Sequence, residues 1–418
     1  MKMVAFAGVI LFLFAGCAVD PLKDRRLTRN TDDDIENQEA IHAWLWSYDS
    51  QSDSLHMFHA VDKLCWKSFK TDIDPHRGIC RGGLIGGGIY PTVWFCSDSR
   101  LVSFTNGLLD HGDHGHIVQP LKHIELIFRD GYRISDMCVA KGGEQIVLCG
   151  SKEMQHDVSS SIITVNFLTG DTVCYSRPGA VSYVIAGDAE ILVGDSLSTD
   201  AYILNIDNGS LISSVAVDTP VYDAVYSSAT KTAFVAGKEK LVVIDMQGTS
   251  VLKTVGYGVS GRITTILASD KCDFALGLYD PGNGFSDCFF VIDMKKQTLN
   301  RHVVSGASLA TNISNGTVVL SDDGSVAVMA DMTLPVLYRV TLSNGTIEHF
   351  MAPDSACPVA CNHDGTRVWA LARAKAYQIS FETDELVDSI GVPQRTDWIM
   401  VTSFRDNSSL FDSNDHTF

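Results

Sequence analysis

The 418-residue chain holds no Cys-x-x-Cys pair, no His-Glu-x-x-His, no Gly-x-Ser-x-Gly and no phosphate-cradling glycine loop. Each absence removes a class of chemistry. A cysteine zinc knuckle or a thioredoxin-type redox pair lacks its thiols. A zincin lacks its paired imidazoles, an α/β-hydrolase its nucleophile elbow, and a nucleotide-dependent enzyme its anion cradle. No catalytic residues are expected, and the chain reads as a non-enzyme. Positive charge is short as well: 32 Lys and Arg against 50 Asp and Glu leave a formal net charge of −18. A field of that sign repels phosphate backbones, so no nucleic-acid partner is expected. Amphipathic helical spacing is scarce throughout, which argues against a bundle. The apolar run at residues 3–14 is shorter than the about 20 residues a spanning helix requires.

That short run is instead the core of an export signal. "MKMVAFAGVILFLFAGC" places one cation, Lys2, before apolar residues and ends them with small residues ahead of Cys17. The ending "FAGC" resembles a bacterial lipobox, with Phe14 where Leu is commonest. The resemblance implies cleavage before Cys17 and acylation of that residue with palmitate-class chains, at about 0.8 kcal/mol per buried methylene. On this reading residues 1–16 are a signal peptide and 17–40 a tether, since eleven of the 22 residues from 18 to 39 are charged. The protein is then expected in the cell envelope, held to a membrane by its N-terminal lipid and facing the periplasm or the cell surface. The other ten cysteines lie scattered along apolar stretches and read mostly as small core residues. Cys138 and Cys149 flank the turn "KGGE" and are candidates to face each other across a hairpin.

From residue 41 onward short alternating runs of Val, Ile, Tyr and Thr are broken by Gly, Asn, Asp and Ser. One unit recurs, an apolar strand ending in a polar turn: "TVNFLTGD", "YILNIDNGS", "LVVIDMQGT", "FFVIDMKKQ", "LYRVTLSNGT" and "YQISFETDE". Taking Gly170, Gly209, Gly248, Lys296, Gly345 and Asp384 as turn markers, the separations are 39, 39, 48, 49 and 39 residues. "MFHAVDKL" at Asp62 and "RLVSFTNGL" at Gly107 extend the series to eight. A period near 40 with four strands per unit is the signature of a β-propeller, because one twisted sheet cannot bury its faces alone whereas sheets packed face to face can. We expect an all-β fold over residues 41–404, with eight blades of four antiparallel strands, or seven if Asp62 or Gly107 marks no unit. "TDWIMVTSF" near the C-terminus is expected to complete the first blade and close the ring, and 405–418 reads as a polar tail. The "VID…G" turns resemble the YVTN and NHL-type bacterial propellers.

Gly107 and Gly170 lie 63 residues apart, 24 more than the commonest spacing. The excess opens with "LLDHGDHGHIV", an insertion between the third and fourth strands of the second blade. Imidazoles and carboxylates at this density suit zinc, or another first-row divalent ion. A solvated loop and a pH-responsive cluster are the competing readings. "RLVSFTNGLLDHGDHGH" further resembles the segment around the DHGDHxH motif of the periplasmic zinc metallochaperones of the AztD type. That resemblance implies zinc binding by His111, Asp113, His114 and His116, and handover to the binding protein of a metal importer. Where that family places a second histidine in the next blade, "YRISDMCVA" offers Asp136 and Cys138. The alternative is an envelope scaffold whose rims bind another protein and whose histidines hold no metal. Of the other motifs, "YDPGNGFSD" reads as a hairpin loop or a calcium site, and "GGLIGGGIY" as backbone near the crowded axis of the ring.

Overall fold

A computed structural model describes residues 44–49, 51–59, 63–70, 79–86, 92–97, 100–105, 108–110, 115–117, 122–127, 133–140, 145–154, 157–166, 170–178, 181–194, 198–269, 271–311, 316–321, 323–354, 358–361 and 365–402. The expected signal, Cys17, the tether and the tail at 405–418 lie outside these residues. Among them there is no helix, and the strands form eight four-stranded antiparallel sheets and two two-stranded ones. The chain is an all-β propeller.

The recurring turn explains the recurring sheet. In the fourth unit Asn205 Oδ1 accepts the N–H groups of Asp207 (2.9 Å) and Asn208 (3.2 Å), and Gly209 takes φ of 68°. The N–H of Gly209 then returns to the Asn205 carbonyl at 2.9 Å, closing a tight turn that requires one left-handed residue. Asp245 plays the part of Asn205 in the fifth unit, accepting from Gln247 and Gly248 at 3.0 and 2.8 Å. There the left-handed residue is Thr249 rather than the marker Gly248, and in the sixth unit it is Gln297 rather than Lys296. The turn geometry is thus kept, the left-handed residue being the fourth after Asn205, Asp245 and Asp293 alike, and the markers Gly248 and Lys296 fall one residue short of it.

In seven of the eight four-stranded sheets the strands follow the chain order and the first strand lies innermost, where inner strands of neighbouring sheets contact one another. Ile79–Gly86 is the inner strand of the second sheet, so its glycines sit where neighbouring backbones crowd. The first sheet is assembled from both ends of the described chain. Thr396–Thr402 pairs with Trp44–Asp49, whose other edge pairs with Ser54–His59, and its inner-strand neighbours are Val359–Cys361 and Ile79–Gly86.

Apolar side chains between sheets form the core. Val235, Ile203 and Leu192 are among those packed between the fourth and fifth sheets, and Phe234, Phe290 and Ile292 between the fifth and sixth. Each fully buried aliphatic or aromatic side chain contributes about 1.5–3 kcal/mol. Polar staples add direction. Asp136 Oδ2 accepts the Val184 N–H at 3.0 Å and Asp223 Oδ2 the Ile266 N–H at 2.6 Å, each donor belonging to the inner strand of the following sheet. At the register shifts after Ile134 and Ile263 the hydroxyls of Ser135 and Thr264 also reach forward, to the carbonyls of Val181 and Thr311. A bulge re-aims a side chain that a regular strand would point elsewhere.

Candidate functional site

The histidine segment is a departure from the second sheet. Strand Arg100–Thr105 pairs with Lys122–Ile127, and the chain between them forms a separate two-stranded hairpin, Leu108–Asp110 with Gly115–Ile117. Its register sets Leu108 opposite Ile117, Leu109 opposite His116 and Asp110 opposite Gly115. Four residues, 111–114, separate the last pair, and they contain His111, Asp113 and His114. Those three lie outside the described residues. The backbone of His116 is placed in the second arm, its side chain lying outside the description. Among the described residues no three His, Cys, Asp or Glu side chains converge as a metal-binding group.

The two residues that replace the expected second histidine are committed elsewhere. Asp136 is buried with its carboxylate on the Val184 N–H. Cys138 is partly buried, and burial followed by the nearby Asp136 charge pushes its thiol well above the ordinary range. A group that resists ionisation is a poor thiolate ligand. Cys138 does not face Cys149 either: the register pairs Cys138 with Val147 and Cys149 with Asp136, and both cysteines are free thiols. Two residues separate Cys138 from "KGGE" and four separate that turn from Cys149, so regular pairing from the turn already sets the two cysteines two positions out of register. Cys96, Cys149, Cys288 and Cys361 are buried, in keeping with a packing role.

Two histidines elsewhere make contacts of their own. His56 Nδ1 lies 2.8 Å from Ser68 Oγ, and burial lowers its pKa, so the ring is neutral at pH 7. His302 stacks on Phe289 at 5.4 Å between ring centres and 11° between planes, and burial lowers its pKa likewise. His123 is placed only by its strand, and His156 and His363 lie outside the described residues.

The loop "YDPGNGFSD" is a hairpin connection. Asp280 Oδ1 accepts the N–H groups of Gly282 (2.7 Å) and Gly284 (3.3 Å), while its Oδ2 meets Arg262 Nη2 at 3.0 Å. Burial acts to raise its pKa, but these donors outweigh burial and hold the carboxyl below the usual range. Phe285–Ser286 then pairs with Leu309–Ala310 beside the seventh sheet. Both carboxylate oxygens are spent on the loop's own backbone and on Arg262, which is the hairpin reading rather than the calcium one. A cavity of about 220 Å³ at turns 227–229 and 271–273 is lined by Tyr226, Ser227, Ser228, Lys271 and Cys272 among others, without a paired acid and base in hydrogen-bond contact.

No family model and no curated protein sequence matches the chain. In structure the chain is similar to apo AztD from Citrobacter koseri, with a TM-score of 0.64, 12% identity, and 87% of this chain and 98% of that one covered. A second structure of AztD from the same organism gives 0.64 at 13% identity over the same shares. Dihydro-heme d1 dehydrogenase NirN, in complex with DHE, gives 0.60 at 12% identity over 86% of this chain and 74% of that one. At such identities the likeness shows a shared propeller fold.

Proposed function

We propose that the protein is an exported, lipid-anchored β-propeller that binds a divalent ion, zinc first among candidates, on the hairpin spanning residues 108–117, for storage or for handover to another envelope protein. The observation that carries the reading is the hairpin itself. Its two arms are held in register, so the segment containing His111, Asp113, His114 and His116 is brought back on itself over four residues. Imidazole nitrogens and a carboxylate oxygen drawn around one centre at about 2 Å would satisfy zinc, which takes four such ligands and imposes no directional preference of its own. The likeness of the segment to the AztD-type motif, together with the shared fold, supports the same ion. As cargo the metal is bound reversibly, and the glycines at 112 and 115 supply backbone freedom for ligands to close and open.

Equilibrium dialysis of the lipid-free protein against zinc tests the site. The wild type is expected to retain about one ion per chain, and His111→Ala/His114→Ala/His116→Ala to retain at least tenfold less at the same free zinc, with an unchanged unfolding midpoint. Equal retention by both proteins refutes the site. The anchor has its own check. Cys17→Ser is expected to move the chain from the membrane pellet to the soluble envelope fraction, because the acyl chains are the proposed source of membrane affinity. Continued sedimentation with the membrane would remove Cys17 as the anchor.

A further inference from the structure

Every one of the eight sheets ends in an outer strand whose far edge has no further strand paired to it among the described residues. Such an edge is a template for strand addition, and soluble proteins protect it with charge. Seven of the eight outer strands carry at least one charged residue, for instance Lys253 in Ser250–Gly256, Arg301 in Thr298–Val303 and Glu348 in Thr346–Met351. The outer strand of the fourth sheet, Leu211–Ala216 ("LISSVA"), carries none, and residues 209–217 hold neither charge nor proline. The strand also shows apolar surface, Leu211 being 61% and Ile212 47% exposed. The outer strand of the fifth sheet lies against it and adds Val251 at 40% and Leu252 at 50%. The uncharged run is bounded by exposed Asp207 and Asp218.

We propose that this edge binds an extended peptide segment of a partner protein by β-strand addition, the segment having apolar residues at its centre and basic residues at both ends. Main-chain hydrogen bonds to the open edge supply the affinity, alternate apolar side chains meet Leu211, Ile212 and Leu252, and the flanking lysines or arginines meet Asp207 and Asp218. Charge decides against a second copy as the occupant. Antiparallel pairing of two copies about Ser213 and Ser214 would bring Asp207 of each toward Asp218 of the other at both ends, between two bodies of net charge −18. The inference concerns a surface apart from the histidine hairpin and does not rest on zinc.

The test is fluorescence anisotropy on the lipid-free protein in the presence of a chelator. One labelled peptide has a core of alternating valine and threonine flanked by lysine pairs, and a second has the same core flanked by glutamate pairs. The lysine-flanked peptide is expected to bind saturably, and the glutamate-flanked one at least tenfold more weakly. Ser214→Lys, which restores the protection the other edges have, and Asp207→Asn/Asp218→Asn are each expected to weaken the first peptide at least tenfold without moving the unfolding midpoint. Absence of saturable binding, equal binding of the two peptides, or indifference to Ser214→Lys overturns the proposal. So does a concentration-dependent dimer that Ser214→Lys abolishes, since a second copy would then hold the edge.

Discussion

Deleting residues 396–418 is expected to leave a chain without a cooperative unfolding transition, whereas deleting only 405–418 leaves the transition where it was. The longer deletion removes Thr396–Thr402, which forms every ladder bond on one edge of Trp44–Asp49 from Trp44 opposite Thr402 to Asp49 opposite Thr396. It also removes Ile399, 3% exposed and packed with Leu45, Phe58, Trp369 and Ile390 between the first and eighth sheets. Two inner strands, Val359–Cys361 and Ile79–Gly86, lose the neighbour they share. A domain is stable by about 5–15 kcal/mol. The deletion leaves buried backbone donors and acceptors unpaired at about 1–3 kcal/mol each, and the sum exceeds that margin. Circular dichroism through a urea titration reads the difference, and binding of a hydrophobic dye reports the exposed inner face. A sharp transition in the longer deletion would mean that the strand is dispensable to the first sheet.

The same strand shows what was legible in the sequence. "TDWIMVTSF" stands outside the repeat series while the first unit is one strand short, so counting alone assigns it to the opposite end of the chain. The turn signals were equally legible, because Asn205, Asp245 and their neighbours act within a few residues of themselves. The 24-residue excess after Gly107 located an insertion, since an inserted segment disturbs a period whatever shape it takes. Its shape was not legible: three-residue arms such as Leu108–Asp110 are too short for an alternating pattern to register. Nor were the staples from Asp136 to Val184 and from Asp223 to Ile266, which join positions 48 and 43 residues apart and depend on which inner strand lies next door. The facing of Cys138 and Cys149 failed for a local reason. The distance of Cys138 from "KGGE" is two residues shorter than that of Cys149, so the pairing of Cys138 with Val147 follows from where the turn sits between the strands.

Phe290→Ala is expected to cost about 3–5 kcal/mol, more than any other single substitution considered for this chain. Phe290 is 1% exposed in the third strand of the sixth sheet, and its ring lies 5.4 Å from that of Tyr257 and 5.5 Å from that of Tyr279. Tyr257 directly follows Ser250–Gly256, the outer strand of the fifth sheet, whereas Tyr279 lies in Phe274–Asp280 of the sixth, so the ring joins the fifth sheet to the sixth rather than filling one of them. Truncation forfeits the transfer energy of the ring and leaves a cavity that cannot readily collapse. Gly277, opposite Phe290 in the register, offers no side chain to fill it, and Tyr257 is held in place by its hydroxyl, which donates to the Gly237 carbonyl at 3.0 Å. Aromatic contacts add about 0.5–1.5 kcal/mol beyond area burial. Phe290→Leu keeps most of the volume and is expected to lose no more than about half as much. Leu252→Ala, at a side chain 50% exposed on the outer strand of the fifth sheet, should stay within about 0.5 kcal/mol of wild type. Urea midpoints at an unchanged slope give the three values. A Phe290→Ala loss no larger than that of Leu252→Ala would show that these sheets are not held together through the aromatic cluster, and that packing between neighbours must reside in the aliphatic positions alone.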